Sequence, residues 1–312
     1  MPSNPSDWEP TVIADDVSFG EGPVWCADTG TVVCTAVASG RLHRIWPSEW
    51  RSEVLIDLGG GPNACAPATD GGFLVTQNGG MDFAALGLPG FENVGPMRPQ
   101  EPGLVHVAVD GSVTYLATED ENGQHLSAPN DLVTMPDGSV YFTDPGHHPP
   151  PAEPAGRLLR LYPDGRVENV GGTFHYCNGV ARDHLGRLLV IEANGLLRVE
   201  HDGRQEWLVE DFGGVAGDGM AVDTEGRVHV CCPGDDRIRV VSPAGEIESV
   251  IDLAAGSLPT NCCFGGPDGT DLFVTLALHR SVVALGGRPH PGVPVIAWQP
   301  PPTAADRPET VQ

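Results

Sequence analysis

Along the chain, short apolar runs alternate with polar turns that carry glycine, and one such unit occurs six times. Ala27-Asp28-Thr29-Gly30 precedes Thr31 to Ala36, Thr69-Asp70-Gly71-Gly72 precedes Phe73 to Thr76, and Pro136-Asp137-Gly138 precedes Ser139 to Thr143. Asp183-His184-Leu185-Gly186, Asp223-Thr224-Glu225-Gly226 and Pro267-Asp268-Gly269 introduce the runs 187–191, 227–231 and 271–275. An Asp-Gly turn between apolar alternations is a hairpin signal, because glycine takes the positive φ that such turns need. A second hairpin of charged or alternating strands follows each run, at 41–46, 104–116, 158–170, 196–209, 238–251 and 281–298.

Each unit thus offers four strands, repeated about every 40 to 50 residues, the pattern of a β-propeller blade. The six units use nearly the whole chain and predict an all-β, six-bladed β-propeller, one domain over residues 1–312. A strand at about 11–15 precedes the first complete blade and is expected to pair with the last one, closing the ring. The spacing between Gly72 and Gly138 is longer, and an insertion at about 86–127 is expected near the channel mouth. A β-sandwich or a two-domain chain is the alternative, yet neither needs six similar units.

Glycine and proline, at 41 and 30 residues, punctuate the apolar runs and form no low-complexity block, which favours strands and tight turns over disorder. Hydrophobic residues at 40% suffice for a large core. Forty-two acidic against 17 basic residues give a net charge of −25, which repels phosphate backbones and anionic lipid. Nucleic-acid and membrane partners are therefore not expected, and a small-molecule substrate is. Residues 1–10 carry no basic segment leading into an apolar one, and a cytoplasmic protein is the expectation. The eight cysteines include the adjacent pairs Cys231-Cys232 and Cys262-Cys263. Neighbouring strand residues face opposite sides, so buried, reduced thiols fit better than disulfides or zinc ligands.

A second class of polar residue sits outside the hairpin turns. Glu21-Gly22-Pro23, Pro129-Asn130-Asp131, Cys177-Asn178-Gly179 and Gly217-Asp218-Gly219 lie where the chain enters the innermost strands of blades one, three, four and five, at the central channel. Such residues are either turn formers or polar groups that need a shared partner when buried. One divalent cation would satisfy Glu21, Asn130, Asn178 and Asp218 together. Their all-oxygen chemistry favours Ca²⁺, with Mg²⁺, Mn²⁺ or Zn²⁺ as alternatives.

Phe19-Gly20-Glu21-Gly22-Pro23-Val24-Trp25, Ser127-Ala128-Pro129-Asn130-Asp131 with Tyr141-Phe142-Thr143-Asp144-Pro145, Asn178-Gly179-Val180, and 218–223 resemble the successive signatures of the regucalcin/gluconolactonase family. The segments 261–266 and 272–275 resemble its last-blade motif. The resemblance implies a six-bladed propeller, a divalent metal and hydrolysis of sugar lactones. It also implies that Glu21, Asn178 and Asp218 ligate the metal, that Asn130 completes the coordination or holds substrate, and that Asp218 is the base. The sequence departs from the animal members at Ala128, where they carry an arginine, and in the loop 146–151.

A lactone is a cyclic ester, so its opening needs a polarised carbonyl, an activated water and oxyanion stabilisation. No Ser stands in a G-x-S-x-G context, so a serine hydrolase is not supported. His148, with His147, in the Pro-rich loop and His175, just upstream of Asn178, are candidate substrate contacts, and His279 is a further candidate for the channel. The competing functions are organophosphate hydrolysis, a lyase, cyclase or hydratase reaction on a carbonyl substrate, and a non-enzymatic calcium-binding propeller.

Overall fold

A computed structural model describes residues 9–94, 98–146, 152–200 and 202–301. The first strand, β1 (Thr11–Ala14), stands apart from the blade that follows it. Blade one holds β2 (Gly20–Cys26), β3 (Thr31–Ala36), β4 (Arg41–Trp46) and β5 (Arg51–Asp57). Blade two holds β6 (Pro62–Pro67), β7 (Phe73–Gln77), β8 (Gly103–Val107) and β9 (Val113–Ala117), with one short helix, α1 (Phe83–Leu86), between its second and third strands. Blade three is β10 (Leu132–Thr134), β11 (Val140–Asp144), β12 (Arg157–Leu161) and β13 (Val167–Asn169). Blade four is β14 (Cys177–Arg182), β15 (Leu188–Glu192), β16 (Gly195–Val199) and β17 (Gln205–Val209). Blade five is β18 (Met220–Val222), β19 (Val228–Cys232), β20 (Arg237–Val241) and β21 (Ile247–Asp252). The last blade is β22 (Pro259–Gly265), β23 (Asp271–Leu276), β24 (Ser281–Leu285) and β1, which pairs antiparallel with β24. The protein is a six-bladed β-propeller, closed by its N-terminal strand.

The predicted turns join the first and second strands of each blade. In blades four and five their geometry is fixed by the aspartates: Asp183 Oδ1 accepts the Leu185 and Arg187 N–H groups, and Asp223 Oδ1 those of Glu225 and Arg227. A side-chain acceptor that captures the next N–H groups forces the chain to reverse. The glycine that follows, Gly186 or Gly226, sits at φ 82°, a conformation costly to any residue with a Cβ.

The core lies between blades. Cys231 packs in the cluster between blades five and six with Cys262, Phe264 and Leu272, while Cys232 packs in the cluster between blades four and five with Ile191 and Val230. Adjacent thiols thus serve opposite faces of one strand, as strand alternation requires. All eight cysteines are free, and seven of them are buried.

Two expectations need correction. The segment 281–298 does not form a hairpin, because the free edge of β24 is taken by β1. Pro289, Pro291 and Pro294 also lack the N–H groups that a ladder would require. Instead the chain straps the lower end of the channel. Val293 donates its N–H to Val222 O at 2.8 Å in blade five, and Trp298 donates to Pro67 O at 2.8 Å in blade two. The segment 293–296 lines a channel cavity of about 150 Å³ together with the inner strands. The expected insertion at 86–127 also contains β8 and β9, ordinary members of blade two. Its first loop is held on blade one by Phe83 and Phe91, which pack on Phe19 with ring centroids 4.8 and 5.8 Å away. Among the described residues no helix is long and apolar enough to cross a membrane.

Trp298 is 2% exposed and sits in the core cluster of blades two and three. Trp298→Ala is therefore expected to lower stability by about 3 kcal/mol, the low end for deleting a buried aromatic. Urea unfolding measures this, and a loss under about 0.5 kcal/mol would show that the strap is not anchored by its tryptophan.

Candidate functional site

Every blade breaks register where its innermost chain reaches the channel. Asp218 N–H donates to Cys231 O at 2.9 Å while Cys231 N–H donates to Gly219 O at 3.0 Å, so two residues oppose one. Asn130 and Asp131 oppose Thr143 in the same way. Register shifts at Glu21/Val24, Pro62/Cys65, Cys177/Val180 and Pro259/Asn261 complete the set. These are β-bulges, which re-aim side chains at the rim of a sheet. The pairs are Glu21-Gly22, Asn63-Ala64, Asn130-Asp131, Asn178-Gly179, Asp218-Gly219 and Thr260-Asn261.

Gly22, Ala64, Asp131 and Asn261, all second members, line the channel cavity, whereas the first members lie outside that lining. The residues thus form two layers, an upper ring of Glu21, Asn63, Asn130, Asn178, Asp218 and Thr260 above a lower ring. Small lower residues make room for the two large ones. A Cβ on Gly219 would come 2.0 Å from the Asn261 side chain, and one on Gly22 would come 2.4 Å from the Ala64 backbone.

Main-chain carbonyls of this region stitch each blade to the next. Thr35 Oγ1 donates to Asn63 O (2.7 Å), Thr76 Oγ1 to Asn130 O, and Thr143 Oγ1 to Asn178 O (2.6 Å). Gly179 N–H donates to Asp218 O (3.1 Å), Gly219 N–H to Thr260 O (2.7 Å), and Thr260 Oγ1 to Gly20 O (2.6 Å). The backbone is thereby fixed, and the side chains are left to one another.

Those side chains carry more negative charge than their surroundings neutralise. Glu21 is 5% exposed and Asp131 7%, while Asp218 is half-buried. Burial, then the charges of Asp218 and Asp131, hold the Glu21 carboxyl well above the usual range, against hydrogen bonds from Gly22 and Asn261. Burial pushes Asp131 up to about 6, despite N–H groups from Val180 and Leu132 at 3.0 Å each. Asp218 rises to about 8 through burial and the Asp131 charge, opposed by a hydrogen bond from Asn178. The Asn261 amide oxygen accepts the Cys262 N–H at 2.8 Å, so its NH₂ group is the one that serves Glu21 and Asp131. Tyr176 lies near Asp218 and Glu21, and burial with their charges keeps its phenol protonated.

Beside the ring, a buried ion-pair cluster holds the loop that carries Asn130. Arg157 pairs with Asp120 at 3.1 Å and Asp144 at 2.6 Å and donates to His125 O at 2.7 Å. Asp144 in turn accepts the N–H groups of Ser127 (3.0 Å) and Ala128 (2.7 Å). The Tyr141–Pro145 motif therefore positions the chain just before Asn130.

The sequence-predicted residues Glu21, Asn130, Asn178 and Asp218 all occupy the upper ring. His175 is exposed on the loop into β14, and its backbone N–H donates to Glu192 at 2.6 Å. His279 is exposed in the turn between β23 and β24, and His147 and His148 lie outside the described residues. Asn63, Asp131, Tyr176 and Asn261 are the members that motif reasoning did not assign to the site. Their signal was positional, since aligning the six inner strands puts Asn63 beside Glu21 and Asp131 beside Asn261. Among the described residues no group of three or more His, Cys, Asp or Glu is placed to hold a metal. The available donors are mixed carboxylates and amides, a chemistry suited to a hard cation.

Fold and ring together define a six-bladed propeller with an oxygen-lined polar centre at one end of its channel. The SMP-30/gluconolactonase/LRE-like region matches residues 19–278, and the chain belongs to that family. It is 25% identical over 301 residues to a gluconolactonase of Zymomonas mobilis subsp. mobilis, covering 87% of this chain and 79% of the relative. It is 24% identical over 281 residues to regucalcin of Xenopus laevis, covering 85% of each. Regucalcin of Agrobacterium tumefaciens, described as a calcium-binding protein, has the same fold, with a TM-score of 0.75 at 18% identity over 93% of this chain and 97% of that one.

Arg157→Leu would leave Asp120 and Asp144 buried without their cation, at a cost of about 3–5 kcal/mol. Denaturant unfolding tests this, and a neutral effect would show that the cluster does not hold the loop. A cation held by the ring would have to displace protons from Glu21, held well above its usual range, and from Asp218, raised to about 8. Ca²⁺ affinity is accordingly expected to rise from about pH 6 to 9, with proton release visible by calorimetry in buffers of different ionisation enthalpy. A flat profile would place the cation elsewhere.

Proposed function

We propose that the chain is a divalent-cation-dependent hydrolase that opens a lactone, a sugar lactone or related cyclic ester. The observation that carries this reading is the upper ring: two carboxylates and three amides at the channel end, backed by the buried Asp131 carboxylate, with no cationic side chain among the groups that act on Glu21, Asp131 or Asp218. Membership of a family that includes gluconolactonase supports the substrate class.

Glu21, Asn178, Asp218 and Asn130 would hold the cation, with Ca²⁺ the first choice for an all-oxygen set. When bound, it supplies Lewis acidity toward the ester carbonyl and lowers the pKa of a coordinated water. Asp218, deprotonated once the cation is held, takes the proton from the attacking water. Asn178, hydrogen-bonded to that carboxylate, holds it in place. The water oxygen bonds to the acyl carbon, the ring C–O bond breaks, and the proton held by Asp218 passes to the leaving oxygen. A neutral lactone is not repelled by a chain of charge −25, whereas the carboxylate product is. His175 and His148 are proposed as substrate contacts.

A pH-stat screen of γ- and δ-aldonolactones tests the reading with cation-stripped and Ca²⁺-restored protein. Acid release is expected only with the cation, and none on any lactone would overturn the function. Asp218→Asn is expected to lower kcat about 10²- to 10⁴-fold. Full turnover in that variant would remove Asp218 as the base.

A further inference from the structure

Of the upper ring, one member has no role so far. Asn63 stands at the first bulge position of β6, the position that Asn130, Asn178 and Asp218 fill in their own blades. It is 6% exposed, and its side-chain Oδ1 is fully buried with no hydrogen-bond partner.

The threonine hydroxyls of this region are already committed. Thr35 Oγ1 serves the main-chain oxygens of Asn63 and Glu21, at 2.7 and 3.1 Å. Thr76 Oγ1 serves Asn130 O and in turn accepts the Ala64 N–H at 2.8 Å. The hydroxyl of Thr260, the remaining upper-ring residue, is spent on Gly20 O. A buried amide oxygen without a donor is costly, and in native proteins such an atom calls for a partner such as a water or an ion. Here it lies between Glu21 and Asn130 in ring order, in a field that the carboxylates make negative. That field disfavours another acceptor and favours a cation.

We propose that Asn63 is a further oxygen ligand of the ring's cation, a fifth protein donor beside Glu21, Asn130, Asn178 and Asp218. The inference rests on the cation-dependent reading given above. Ca²⁺ accepts six to eight oxygens, so a fifth protein donor replaces a water and needs no rearrangement of the other four.

Coordination itself tests this, without reference to turnover. Tb³⁺ serves as a luminescent Ca²⁺ surrogate, and its lifetimes in H₂O and D₂O count the waters bound to it. Asn63→Ala is expected to add one water to bound Tb³⁺ and to weaken Ca²⁺ binding roughly tenfold by calorimetry. Asn63→Asp keeps an oxygen at the position and is expected to restore the wild-type water count with affinity at or above wild type. An unchanged water count and Ca²⁺ affinity in Asn63→Ala would overturn the assignment. So would unchanged cation binding with a raised KM for hydroxylated lactones alone, which would make Asn63 a substrate contact. If the wild-type protein binds neither Tb³⁺ nor Ca²⁺, the cation-dependent function falls first and Asn63 with it. If wild type binds and only the Asn63 result fails, that function stands.

Discussion

The circle of hydrogen bonds that runs from blade to blade around the channel is the interaction on which the rest of the architecture depends. Each blade alone is a four-stranded sheet with two apolar faces, and packing between blades is non-directional. Directionality comes from the carbonyls of Gly20, Asn63, Asn130, Asn178, Asp218 and Thr260, each taking a donor from the neighbouring blade. Three of the donors are the threonines Thr35, Thr76 and Thr143, at matching places in the second strands of successive blades. Blades four and five use glycine N–H groups for the same purpose, which ties their bulges to their function.

Because the carbonyls face sideways into this circle, the attached side chains project into the channel end at fixed positions. The cost is electrostatic. Asp218 and Asp131 raise the pKa of Glu21, Asp131 raises that of Asp218, and the amides of Asn178 and Asn261 offset only part of that repulsion. The fold tolerates the strain because backbone and charge are held by separate sets of atoms. A change in what occupies the centre need not disturb the circle. Arg157, with Asp120 and Asp144, extends the same division of labour to the loop before Asn130.

The repeat was legible because Asp-Gly turns and apolar alternation are local signals, and the expected closing strand at 11–15 corresponds to β1. The failure at 281–298 has a plain cause. Strand propensity does not say which edge is free, and β24 had already been given its partner from the other end of the chain. In the site, Glu21, Asn130, Asn178 and Asp218 stood out through their motifs. Asp131 and Asn261 did not, since a bulge sends adjacent residues to different layers and a motif does not record layers. Asn63 was invisible as chemistry because Pro62-Asn63-Ala64 reads as a turn. Only the six-fold alignment of register gives it neighbours. The Arg157 cluster joins residues 37 apart, beyond any local pattern.

The last stitch of the circle, from Thr260 to Gly20, spans 240 residues, and β1 meets β24 across still more chain. Contacts this distant form late, after the entropy of closing a long loop has been overcome. Glu21 comes from the first blade and Asp218 from the fifth, so neither carboxylate meets the other until the ring shuts. A chain that lacks blade six therefore carries most of the propeller but neither the closing stitch nor the Asn261 amide that serves Glu21 and Asp131. In this architecture the completed centre therefore waits on closure of the ring.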